Sequence, residues 1–194
     1  SNFMRVFLSV LILIFSLQSL IKADDVSDFE IEGISLGDSA LKFFSKEDIE
    51  NNVKSYYKDK TYTPVEMLNY SFFNTYDGVD FDYMTNDPDF IIHAISGVIL
   101  YNDDNINECY DRLDSIVNDI RDILPNLQET KKIVENHSVD KDSTITRVGF
   151  WGSNGLITVN CYDYSSKLGW TDHLAITINT NTFNDFLMNA YGPS

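Results

Sequence analysis

The sequence predicts an α+β fold, a single domain in which an antiparallel sheet of about five or six strands carries helices mainly on one face. Three observations point to it. Residues 90–101 form a β-branched apolar run with hydrophobic side chains on both alternating faces, as in the middle strand of a covered sheet. Ile106, Cys109, Tyr110, Leu113, Ile116, Val117, Ile120 and Leu124 then recur at helical spacing, and Pro125 ends the helix. Residues 145–151, 156–164 and 173–180 read as three more strands, separated by turn residues. The chain has 194 residues and 43% hydrophobic content, which suits one domain with a substantial core.

Taken in order, Met4-Arg5, the apolar run from Val6 to Leu17 and residues 18–23 match a secretory signal cut after Ala23, leaving a domain over 24–194. No later segment is long and apolar enough to span a bilayer. An acidic lead, 24–28, precedes a short alternating edge strand over 29–34 and a brief helix bearing Leu41, Phe43 and Phe44. Ser45 with Asp48 is a capping box for a helix over 46–53. The aromatic-rich stretch 56–76 reads as strand, with Pro64 on an edge, although Thr63-Pro64-Val65-Glu66 also suits a helix start.

Residues 79–83 alternate with their acids towards solvent, and Asn86-Asp87-Pro88-Asp89 turns them into a hairpin with 90–101. Gly97 there marks a bulge or close packing. Asn102-Asp103-Asp104-Asn105 offers capping side chains to the long helix, and Asn126 with Glu129 predicts a shorter helix reaching about Asn136. A polar loop, 138–143, follows.

The turn Gly152-Ser153-Asn154-Gly155 contains an Asn-Gly pair that tolerates positive φ. Keeping apolar sets on one face pairs Ile157 with Ile178, Val159 with Ile176 and Cys161 with Leu174. Thr158, Asn160 and Tyr162 then oppose Thr177, Ala175 and His173 on a polar face. Thr182 and Asp185 cap a last helix whose Phe183, Phe186, Leu187, Ala190 and Tyr191 form one stripe, ended by Gly192-Pro193.

Removal of the signal would leave 12 of the 14 basic residues against 30 acidic ones, a formal charge of −18. Such a surface disfavours nucleic acid and anionic membranes, and tolerates cations and neutral molecules. Cys109 on the long helix and Cys161 on a later strand point to one core, so an oxidising compartment predicts a Cys109–Cys161 disulfide.

Residues 29–39, 75–81, 95–99, 161–165 and 172–174 resemble a set of small secreted proteins from marine alphaproteobacteria of the SAR11 type. The likeness covers most of the mature chain. It implies a periplasmic or secreted location and brings no catalytic residues. A helical corner followed by a sheet also resembles, in shape, the BamE-like and β-lactamase-inhibitor-like architecture, whose members bind other proteins.

Gly37-Asp38-Ser39 matches the start of the GDSL esterase pattern, in which the serine attacks with help from a histidine and an acid. Here Ala40 replaces the usual Leu, and only the adjacent Asp172-His173 stands for the closing acid-histidine pair. A cap at Asp38 or Ser39 explains the residues without catalysis. Asp163 and Asp172 oppose each other in the inferred register, a thin basis for a cation site. His93, His137 and His173 are too scattered for zinc spacing. Tyr162, Tyr164, Trp170 and His173, with Asn160 nearby, are the candidate binding residues, suited to stack on a sugar or a partner's side chain. Trp151 joins them at the strand connections, unless the tryptophans close the ends of the core.

The reading is therefore an exported, monomeric, non-catalytic binding or accessory domain of the bacterial envelope. It needs no cofactor, and its partner is an envelope protein or a small neutral or cationic ligand. The alternatives are a periplasmic hydrolase using Ser39 or Asp172-His173, and a structural envelope component.

Overall fold

A computed structural model of the chain describes residues 25–101 and 105–191. The expected signal segment, most of the acidic turn before the long helix and the Gly192-Pro193 stop lie outside the described residues. The strands are β1 (Tyr62–Leu68), β2 (Gly78–Met84), β3 (Ile92–Tyr101), β4 (Gln128–Glu129), β5 (Ile133–Asn136), β6 (Thr144–Trp151), β7 (Gly155–Asp163) and β8 (Asp172–Thr180). Three helices accompany them: α1 (Lys46–Asn51), α2 (Ile106–Ile123) and α3 (Asn181–Tyr191).

All eight strands form one antiparallel sheet in the order β1-β2-β3-β8-β7-β6-β4, with β5 also on β6. The sheet is larger than the five or six strands expected, because β4 and β5 replace the helix predicted from Asn126 to Asn136. The local capping signal there loses to the unpaired edge of β6, whose Gly149 carbonyl accepts from Thr130 N–H at 2.8 Å and whose Gly149 N–H donates to Thr130 Oγ1 at 2.9 Å. Glu129, read as a capping carboxylate, instead receives Arg121 of α2 through two bonds of 2.6 Å.

The β7–β8 register is the one argued from the sequence: Ile157, Val159 and Cys161 lie opposite Ile178, Ile176 and Leu174. With Val148, Phe150, Ile95 and Phe81 they build one core that also holds Cys109, Leu113, Val117 and Ile120 of α2. Cys109 and Cys161 are bonded at 2.01 Å, fastening α2 to β7. Gly97 serves close packing rather than a bulge: a Cβ there would meet the Tyr76 ring at 2.6 Å. The irregularity in that ladder sits instead between Asp82 and Tyr83 of β2.

The 29–34 segment is a tight turn and not an edge strand, because Glu32 (φ 52°) and Gly33 (φ 78°) turn the chain so that Ile31 and Ile34 bond to each other. A glutamate in that conformation is held by tertiary bonds: its Oε1 accepts from the N–H groups of Asn74, Thr75 and Tyr76 at 2.6–2.9 Å. Ser45 caps α1 as expected, accepting from Asp48 N–H at 3.1 Å, and the helix stops at Asn51 because Asn52 and Lys54 bond to the outer edge of β1.

The 152–155 turn forms without positive φ at Asn154. Its geometry comes from neighbours: Ser153 bonds Asp25, Asn154 bonds Ser27, and Asn181 N–H reaches the Asn154 carbonyl. Gly155 is required by close approach, since a Cβ would lie 2.3 Å from the Asn179 carbonyl oxygen. α3 starts two residues earlier than predicted, capped by Thr180, whose Oγ1 accepts from Phe183 N–H at 3.2 Å. Phe183 packs in a second cluster with Tyr62, Ala94, Tyr57, Phe186 and Leu187.

Candidate functional site

Strand alternation leaves a second sheet face, away from the α2 core, which we term the outer face. In the register it presents Ser96 beside Thr177 and Thr158, Ala175 beside Asn160 and Arg147, and Leu100 beside His173, Tyr162 and Ile145. Ser96 and Thr177 share a hydroxyl bond of 2.8 Å.

At the His173–Tyr162 end the rings gather. Tyr162 and His173 stack with centroids 4.5 Å apart, and Tyr164 stacks on Tyr162 at 5.9 Å. Trp170 meets Tyr164 edge-on at 5.2 Å. His137, placed just after β5 and not at a helix end as expected, meets Tyr164 at 5.5 Å and Trp170 at 5.8 Å. Four of the five predicted binding residues are thus brought together with a histidine that sequence reasoning left out. Its membership depends on β5, which the local sequence did not reveal.

Asn160, the fifth, is buried and committed to its neighbours. Its Oδ1 accepts from Arg147 Nε at 2.9 Å and its amide donates to Thr158 Oγ1 at 3.2 Å, while Arg147 also pairs with Glu135 at 3.1 Å. It therefore holds Arg147, whose side chain also bonds Tyr162. Trp151 does not belong to the cluster. It stands at the far end of β6 opposite Leu156, 43% exposed, whereas Trp170 is 49% exposed, so neither closes the core.

The two imidazoles present opposite hydrogen-bonding characters. His173 Nδ1 donates to the Thr171 carbonyl at 3.1 Å, leaving Nε2 as an acceptor in the neutral ring. Burial pulls the His173 pKa below its ordinary value, so that neutral form prevails at neutral pH. His137 Nδ1 accepts from Val139 N–H at 3.2 Å, which places the proton of a neutral ring on Nε2 as a donor. Burial raises both the Tyr162 and the Tyr164 phenols, keeping them protonated. The cluster is an aromatic surface with hydrogen-bonding ring nitrogens at its edge.

Loops hold this surface in place. Asp140 accepts from Ser165 Oγ at 2.5 Å and Ser143 Oγ at 2.7 Å, and those hydroxyls hold its carboxyl below the usual range. Asp172 Oδ1 accepts from Tyr164 N–H at 2.7 Å. Asp163 receives Tyr110 Oη at 3.3 Å; burial and then the Asp172 charge push its pKa up. The two carboxylates read as a possible cation pair are each engaged by the chain itself.

Ser39 is a cap. Its Oγ donates to the Asp89 carbonyl at 2.5 Å and accepts from Leu41 N–H at 3.3 Å. It bridges Ile91 before β3, whereas His173 pairs with Leu100 near the other end of that strand, which separates the two by roughly 30 Å of strand rise. Ser39 and Asp172-His173 are not brought together.

The sequence placed the acids of β2 in solvent, and the structure does not. Asp80 and Asp82 lie half-buried on the outer face, with Glu66 directly opposite Asp80. Burial, then the charges of Glu66 and Asp82, push Asp80 up to about 7 against a smaller opposing effect of Lys54. Burial pushes Asp82 up to about 7 although Tyr57 Oη donates to it at 2.9 Å. Comparison of the chain with protein-family models, curated proteins and solved structures finds no match.

Proposed function

We propose that this chain is an exported, non-catalytic binding domain of the bacterial envelope that holds a neutral or cationic group on its outer sheet face, around Tyr162, Tyr164, Trp170 and His173. One observation carries the reading: three separate segments, 137, 162–164 and 170–173, bring their rings into one cluster that includes a Trp170 left 49% exposed. Exposed aromatic rings beside fixed donors and acceptors suit the faces of sugar rings and the side chains of a partner protein. The formal charge of −16 favours neutral or cationic occupants over anions. The disulfide supports an oxidising compartment, as do the signal-like segment and the resemblance to small secreted proteins.

The test follows Trp170 fluorescence in a Trp151→Phe background during titration with a neutral oligosaccharide and with a lysine-rich peptide. A saturable change with one of them, removed by Tyr162→Ala and Trp170→Ala without loss of fold, is the expected result. Binding that persists unchanged in both variants, or no response to either probe, refutes the proposal.

A further inference from the structure

The two edges of the sheet are finished differently. At the β1 edge, residues 52–54 run alongside: Lys54 N–H donates to the Pro64 carbonyl at 2.8 Å, Glu66 N–H donates to the Asn52 carbonyl at 3.2 Å, and Val53 bridges Val65. That edge is covered. At the other edge β5 lies outside β6, and all four of its residues are exposed.

Antiparallel pairing alternates the direction of backbone groups along a strand. His137 N–H donates to the Ser143 carbonyl at 2.8 Å, and this sets the parity for β5. Ile133 and Glu135 direct their N–H and C=O groups to β6, and Val134 and Asn136 direct theirs outwards. Among the described residues no backbone bond reaches Val134 or Asn136 from that side. Ile133 is 46% exposed on one sheet face and Val134 68% exposed on the other, so apolar surface flanks the open backbone on both sides.

We infer that β5 is a docking edge for an extended segment of another protein, which adds a ninth strand antiparallel or parallel to β5. Unpaired backbone groups select a strand, Ile133 and Val134 supply apolar contact for its alternate side chains, and charge selects its flanks. Lys131 and Lys132 precede β5; Lys132 is paired with Asp114 of α2, which leaves Lys131 without an ion pair among the described residues, and the only acid of the strand, Glu135, is neutralised by Arg147. An acidic extended segment fits this edge. A second copy would bring another pair of lysines and another strongly negative body to it. The inference is independent of the ring cluster and stands or falls separately.

Amide exchange of the full domain with its disulfide intact tests it. The probe is a ten-residue peptide of alternating valine and threonine with two glutamates at each end. In the free protein the amides of Val134 and Asn136 exchange fast while those of Ile133 and Glu135 are protected. The peptide slows Val134 and Asn136 by about ten-fold or more, and less at high salt. Val134→Pro, which removes an outward donor tolerated as proline on an edge strand, abolishes the effect. Val134→Glu, which keeps the backbone and adds like charge, weakens it and guards against a folding defect in the first variant. Three results overturn the inference: unchanged exchange at millimolar peptide, equal slowing by an alternately N-methylated peptide, or protection that rises with protein concentration alone. The last would identify a second copy as the occupant.

Discussion

Asp80 carries a clear pH signature. Its folded pKa is raised to about 7, like that of Asp82, so between the unfolded carboxylate value and about 7 the folded state holds protons that the unfolded chain releases. Stability should therefore be highest at the acid end of that window and fall as pH rises through it. Asp80→Asn is expected to raise the melting temperature at pH 8 and flatten its rise on acidification to pH 5; a parallel slope in wild type and variant would contradict this. At Gly155 the neighbour is backbone and cannot move aside, so Gly155→Ala should cost about 1–3 kcal/mol, measured by urea denaturation. The alternation of residues 79–83 revealed the strand and its faces but not which face was shielded. Charge usually marks the solvent side, and only the neighbours Glu66 and Tyr57 show otherwise.

The strongest segments were legible as elements because their signal is local: β3, the α2 stripe and the β7–β8 register all follow from period and face. β4 and β5 were not, because their partner is β6, beyond a polar loop, and their own capping residues argue for a helix. The 29–34 turn was hidden for a similar reason, since its stabilising bonds come from residues 74–76. Burial acts to raise the Glu32 pKa, yet the N–H bonds from Asn74, Thr75 and Tyr76 outweigh it and lower it. Its stabilising contribution is present above the unfolded glutamate value and is lost as pH falls through the depressed folded one. Glu32→Ala should cost about 1.5–3 kcal/mol at neutral pH and much less at strongly acid pH, read from denaturation midpoints. Within the ring cluster, Tyr162 and His173 were legible from the register, while His137 entered only through β5.

For the molecule as a whole, the covalent tie between α2 and β7 encloses 52 residues of sequence separation, a loop for which chain entropy suggests about 4 kcal/mol of stabilisation. Reduction should shift the urea midpoint accordingly, and a midpoint unchanged by reductant would argue against that tie. The sheet consists of two local meanders, β1-β2-β3 and β6-β7-β8, which meet only along the β3–β8 seam. Zipping that seam from Tyr101 and Asp172 closes a loop of about 70 residues in the reduced chain, but the bond from Cys109 to Cys161 short-circuits the path to about 20. The search for the seam is correspondingly shorter: on loop-closure scaling alone the oxidised protein should refold about 5-fold to 10-fold faster than the reduced one. With both cysteines of the chain used in one bond, no intramolecular mispairing competes, so oxidation before the halves dock accelerates folding without a shuffling phase.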